Sequence, residues 1–234
     1  MKKALFIFSL LLIFSCGGND SNLIVKGNIK GLKKGTLYLQ KLNDTILVTL
    51  DSLQIMGEAP FELHADLKEP EVLYLTLDKN SANTHRISFF ANKGITEVNS
   101  TLKRFAFDAK IKGSVQQEKF EEYYSIISKF NNQRLELIKA QFEAQKSEND
   151  SVIKSVISKA KNTIKRKYLY TVNFALNNRN SEVAPYVALA EIYDANIKYL
   201  DTIYNALPEN IANSKYGLQL NTLIKERKEK EEGN

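Results

Sequence analysis

From Leu23 the apolar positions fall at every second residue: Leu23, Val25 and Ile29 alternate with Lys26, Asn28 and Lys30. That is the period of a strand with one buried face. Runs of the same kind recur over residues 36–41, 45–55, 61–67, 72–77, 86–91, 94–99 and 105–112, the last setting Phe105, Phe107, Ala109 and Ile111 against Asp108, Lys110 and Lys112. Turn-forming residues separate the runs at Gly31, Gly35, Asn43-Asp44, Glu58-Ala59-Pro60, residues 78–81 and Asn92-Lys93-Gly94. Short strands with no helix between them to make crossovers predict an antiparallel sandwich or barrel.

At Gly113-Ser114 the period lengthens. Ser114 followed three residues later by Gln117 predicts a capping box, and Phe120, Tyr123, Tyr124, Ile127, Phe130, Ile138 and Phe142 recur at helical spacing. Residues 147–150 interrupt it. A second stripe carries Ile153, Val156, Ile157, Ala160, Ile164, Tyr168, Val172 and Ala175, on a helix on the order of 40 Å long at 1.5 Å per residue. The two predict an antiparallel hairpin. Residues 177–181 close it, and Ser181 can cap a third helix carrying Tyr186, Val187, Leu189, Ala190 and Tyr193, with Pro185 tolerated in its first turn. A fourth carries Ile197, Leu200, Ile203 and Tyr204 and is stopped by Pro208. The last starts near Ser214 and runs through Leu218, Leu220, Leu223 and Ile224 into a tail of alternating charge, read as a solvated end. The fold class expected is α+β: an antiparallel β-sandwich over residues 23–113, then an all-helical domain over 114–234 with a long helical hairpin.

The chain ahead of Leu23 has a different character. Lys2 and Lys3 precede an apolar run over residues 4–14, shorter than the roughly 17 to 25 residues needed to cross a bilayer. It reads as a secretory signal. Leu12-Ile13-Phe14-Ser15-Cys16 resembles the lipobox of bacterial lipoproteins, with Phe14 bulkier than the small residue usual there. The resemblance implies removal of residues 1–15 and acylation of Cys16. Residues 16–22 would then be a lipidated tether. One acyl chain anchors marginally, but several anchor stably, at about 0.8 kcal/mol per buried CH2. Gly17 in place of an aspartate after the cysteine favours the outer membrane, on its periplasmic or surface face.

Charge changes the picture little: 33 basic against 27 acidic residues give +6, a weak argument for anionic partners. Lys154, Lys159, Lys161, Lys165, Arg166 and Lys167 make the second long helix basic, most simply as a solvated face, with anionic head groups as the alternative. Nucleic acid is not expected as a partner of an exported protein. Cysteine matters more. Cys16 is the single cysteine, so neither a disulfide nor the thiolate and resolving partner of a redox pair is available.

No catalytic, cofactor-binding or metal residue is assigned. Zinc needs three or four ligands close together, whereas His64 and His85 fall on separate strands, His64 on a polar face with Glu62 and Asp66. Asp51-Ser52 with either histidine would supply the letters of a hydrolase triad, but triads are recognised by geometry. Short polar side chains more often bond nearby backbone at a strand end. Asp44-Thr45-Ile46, Asp51-Ser52-Leu53, Asp150-Ser151-Val152 and Asp201-Thr202-Ile203 resemble the Asp-Ser/Thr-apolar sequon for O-glycosylation in Bacteroidota; Ser151, at a predicted helix start, is the foremost candidate.

Leu23-Ile24-Val25-Lys26-Gly27-Asn28-Ile29, Gly35-Thr36-Leu37-Tyr38-Leu39, Leu50-Asp51-Ser52, residues 57–61, Phe89-Phe90-Ala91 and Ile111-Lys112-Gly113-Ser114 together resemble the uncharacterised all-β domain at the front of thioredoxin-like thiol:disulfide interchange lipoproteins of Bacteroidota. The likeness covers residues 23–120. The relatives' redox residues have no position here onto which they can be carried. The function expected is a non-catalytic cell-envelope lipoprotein, a binding or scaffold module without cofactor, held to the membrane by its lipid and meeting a protein partner in the envelope. The alternative is an accessory of a separate thioredoxin-like oxidoreductase.

Overall fold

The computed structural model describes residues 21–43, 45–57, 60–78, 86–146 and 149–232. These form β1 (Leu23–Lys30), β2 (Lys34–Asn43), β3 (Ile46–Met56), β4 (Phe61–Ala65), β5 (Glu71–Leu77), β6 (Arg86–Ala91), β7 (Gly94–Thr101) and β8 (Lys110–Lys112). Six helices follow: α1 (Val115–Lys146), α2 (Asp150–Asn177), α3 (Val183–Glu191), α4 (Ile197–Ala206), α5 (Glu209–Ala212) and α6 (Lys215–Glu232).

The strands make two four-stranded sheets, β4-β1-β7-β8 and β3-β2-β5-β6. Their facing sides bury Leu23, Val25, Leu37, Leu39, Leu63, Leu73, Leu75, Phe89 and Val98 in one core, the alternation that the sequence predicts. The ladders are antiparallel except for β1 against β7, which is parallel from Leu23↔Gly94 to Lys30↔Thr101. At that ladder Gly27 is indispensable, because a Cβ there would sit 1.8 Å from the Val98 carbonyl oxygen.

The predicted strand over residues 105–112 shrinks to β8. Ser100 Oγ donates to the Phe105 carbonyl at 2.6 Å, Thr101 Oγ1 to Asp108 Oδ2 at 2.8 Å, and Asp108 N to the Arg104 carbonyl at 2.9 Å. The hydroxyls at the end of β7 thereby hold the segment in compact turns. Phe105 drops into the core while Phe107 is 76% exposed, which strict alternation could not separate.

The helices cover the outer face of the second sheet and leave a three-layer body. β5 alternates between two cores: Leu73, Leu75 and Leu77 face the other sheet, and Val72 and Tyr74 face the helices. Phe89 and Phe90 divide in the same way. The outward Phe90 ring meets Phe120, Tyr186 and Tyr216 edge-on at 5.6–5.9 Å between centroids. α1 and α2 form the expected hairpin. α2 is capped by Asn149, whose Oδ1 accepts from Ser151 N and Val152 N. The short α5 is additional. α6 crosses it closely enough that a Cβ on Gly217 would lie 2.2 Å from the Ile211 carbonyl oxygen.

Candidate ligand-binding cleft

The capping box at Ser114 is half made. Ser114 Oγ accepts from Gln117 N at 3.1 Å, but the Gln117 side chain turns away from Ser114 N. Its Oε1 accepts from Phe90 N at 2.7 Å, and Ser114 Oγ donates to the Phe90 carbonyl at 3.1 Å. The start of α1 therefore satisfies the outer edge of β6, a free strand edge that would otherwise template pairing with another chain. Farther along the same interface, Tyr216 OH accepts from Val72 N at 2.8 Å. Glu71, 6% exposed, is paired with Lys215 and lies 3.7 Å from Lys41.

A cleft of about 790 Å³ opens between α1, the outer face of β5 and β6, and the segment around Phe107. That volume lies in the range of small-ligand sites. Tyr74, Phe120, Tyr124 and Tyr186 supply aromatic surface, and Arg86, Lys110, Lys112 and Glu121 supply charge. The Arg86 guanidinium lies 5.7 Å from the Tyr74 ring centroid. Its Nε is enclosed by protein without a hydrogen-bond partner among the described residues, and so is Thr76 Oγ1. Arg86 and Thr76 face each other in the β5–β6 ladder. Two neighbouring polar groups are thus left unsatisfied side by side in that ladder, each an expense to the fold.

Burial dominates the titration behaviour of the aromatic surface. Desolvation pushes the hydroxyls of Tyr74, Tyr124 and Tyr186 above the ordinary tyrosine range, and the Glu191 carboxylate adds to the effect at Tyr124 and Tyr186. They are neutral hydrogen-bonding groups near neutral pH, and the cleft's charge comes from Arg86, Lys110, Lys112 and Glu121.

The residues singled out in the sequence lie elsewhere. Cys16 and His85 fall outside the described residues, as do the signal segment and most of the tether. Asp51 and His64 do meet, through backbone: Asp51 Oδ2 accepts from His64 N at 2.8 Å and Oδ1 from Ser52 N at 2.7 Å. Both carboxylate oxygens are engaged by amides. Asp51 lies in mid-strand beside the β2–β3 bulge at Leu39/Gln40, not at a strand end, and it ties β3 to β4 across the two sheets. The His64 ring instead has Ser21 Oγ 3.1 Å from Nδ1 and Glu62 Oε1 3.2 Å from Nε2. The amide beside that serine, Asn22 N, already donates to Asp66 at 3.1 Å, so it is not free to stabilise an oxyanion. Ser151 is exposed in the first turn of α2. Among the described residues no group of three His, Cys, Asp or Glu could hold a metal ion, and no helix is long and apolar enough to cross a membrane.

The cleft escaped the sequence reading because its residues are spread from Tyr74 to Tyr186 and share no motif. One legible signal was the pair of adjacent phenylalanines in β6, which demands a second apolar layer outside the sandwich.

Residues 23–120, the sandwich and the first turns of α1, match the family model described as a domain of unknown function (DUF4369). No curated protein and no solved structure matches the chain.

Proposed function

We infer that this chain is a non-catalytic binding module of the cell envelope, built on a domain of unknown function and using the cleft against α1 as its binding surface. The observation that carries this reading is a cleft of about 790 Å³ in which the Arg86 guanidinium lies over the Tyr74 ring beside Phe120, Tyr124 and Tyr186. A cationic guanidinium over an aromatic ring, among further aromatic side chains, suits a ligand that offers an acidic group next to an apolar body. Attachment to the outer membrane through an acylated Cys16 completes the proposal, since the cleft alone says nothing of where the protein resides. The finer kinship, with thioredoxin-like thiol:disulfide interchange lipoproteins, would make the bound partner a separate oxidoreductase; the match over residues 23–120 favours that second reading only through the domain.

The test is recovery of the full chain from native envelope in mild detergent, followed by native mass spectrometry beside the Arg86→Gln variant. The expected result is acyl mass on Cys16 and a bound species that the variant loses. Retention of the same species by Arg86→Gln overturns the cleft as the binding surface, and an unmodified Cys16 overturns the anchor. Enrichment of a thioredoxin-like protein with the native chain selects the accessory role.

A further inference from the structure

The distal half of the α1–α2 hairpin is separated from the rest of the protein in both packing and charge. The helical core takes residues from α1 up to Phe130 and resumes on α2 at Tyr168. Between them, the described hydrogen bonds and ion pairs of residues 131–166 stay inside the hairpin. From residue 131 to the end of α1 this is a two-helix arm roughly 24 Å long.

Residues 131–166 hold eight Lys or Arg and four Asp or Glu, a net +4 of the chain's formal +6. On α2, Lys154, Lys159, Lys161 and Lys165 are exposed, and no ion pair engages them among the described residues.

The arm is also apolar on one side. Leu135, Ile138 and Phe142 lie three and four residues apart, on one stripe of α1, and Leu135 and Phe142 are 57% and 63% exposed. Ile138 and Ile164 line the same small cleft at the seam between the helices, so the stripe continues onto α2, where Ile164 stands between Lys161 and Lys165.

We propose that this arm binds an anionic phospholipid surface, inserting Leu135, Ile138 and Phe142 between acyl chains while its lysines meet the head-group phosphates. An exposed apolar stripe on α1 beside a helix rich in exposed lysines has the composition of elements that lie in a membrane interface, and lysine stems can follow apolar side chains while the ammonium stays in water. A ridge, not a pocket, is presented, which suits a fluid surface that needs no shape complementarity. A second copy is disfavoured by charge, because pairing two arms places +4 against +4. The inference does not depend on the cleft or on Cys16.

Sedimentation with vesicles tests it, using a chain that begins at Gly17 and so lacks an anchor while keeping every described element. The expected result is binding to phosphatidylcholine vesicles containing phosphatidylglycerol, none to phosphatidylcholine alone, and loss of binding at high salt. The pair K161E/K165E should weaken binding at least about tenfold. The pair K26E/K30E, an equal charge change on the exposed positions of β1, should leave it within about twofold. Phe142→Ser should weaken binding to the anionic vesicles, with an unchanged circular dichroism spectrum establishing that the helices persist. Equal binding to neutral and anionic vesicles, or equal loss from the two charge-reversed pairs, overturns the proposal. So does a dimer in solution that Phe142→Ser dissociates, which would give the face to a second copy, or binding to a soluble polyanion without binding to vesicles.

Discussion

Gln117 shows how much one side chain can decide in this fold. It sits at the first turn of α1, 2% exposed, with its oxygen on the Phe90 amide and its nitrogen 2.8 Å from Glu121 Oε1. Gln117→Leu keeps the bulk and removes the acceptor, so the buried Phe90 N–H loses its partner. The expected cost is about 1–3 kcal/mol, read from the urea midpoint at unchanged slope. Gly27 is a harsher case. The β7 backbone occupies the space of its missing side chain, so Gly27→Ala must push a parallel ladder apart. We expect thermal unfolding to show a loss at or beyond the roughly 1–3 kcal/mol usual for overpacking; a loss below that range would mean that the ladder yields easily.

At the scale of elements, tyrosines line the contacts of the helices with the sheet and with one another, and this gives the helical layer a pH limit. Tyr123, Tyr124, Tyr186 and Tyr216 are all raised above the ordinary tyrosine range, chiefly by burial. Tyr168, which donates to Asp194 at 2.9 Å, is pushed up to about 12, by desolvation first and by that bond second. An unfolded tyrosine loses its proton near pH 10. Above that pH the unfolded chain holds fewer protons than the folded one, so stability is fully present below about pH 10 and declines as pH rises through the folded values. Denaturant midpoints measured from neutral to strongly alkaline pH should stay flat and then fall. Ultraviolet difference spectra should show these tyrosines ionising together with unfolding. The hairpin gives a second expectation at this scale. Amides of residues 131–146 and 150–166 lack the tertiary cover of residues 168–177, so hydrogen exchange should be faster in the arm than in the base of the same helices.

The whole molecule is organised by a sheet that is buried on both sides. β5 and β6 supply one core with their inner residues and the other with Val72, Tyr74 and Phe90, so sandwich and helices share a layer and should unfold together. Phe90→Ala removes the ring on which Phe120, Tyr186 and Tyr216 converge. It should cost about 3–5 kcal/mol while leaving a single transition whether strand or helix signal is followed. Two separated transitions in the unaltered protein would show that the shared layer does not couple its neighbours.

Periodicity alone determined the α+β class, the order of strands and helices, and the hairpin, because burial against any apolar layer imposes a period of two or of 3.6 regardless of what that layer is. It also marked Leu23, Val25 and Tyr123 as interior. Tertiary structure alone decided the rest. It set β1 parallel to β7, turned Gln117 from its own helix cap to a strand edge, folded residues 103–108 into turns, and exposed Phe142 and Ile164, which their spacing had assigned to an interior. It also brought Tyr74, Arg86, Phe120 and Tyr186 together around one cleft. Each of these depends on which distant backbone arrives beside a residue, and a local pattern carries no information about that arrival.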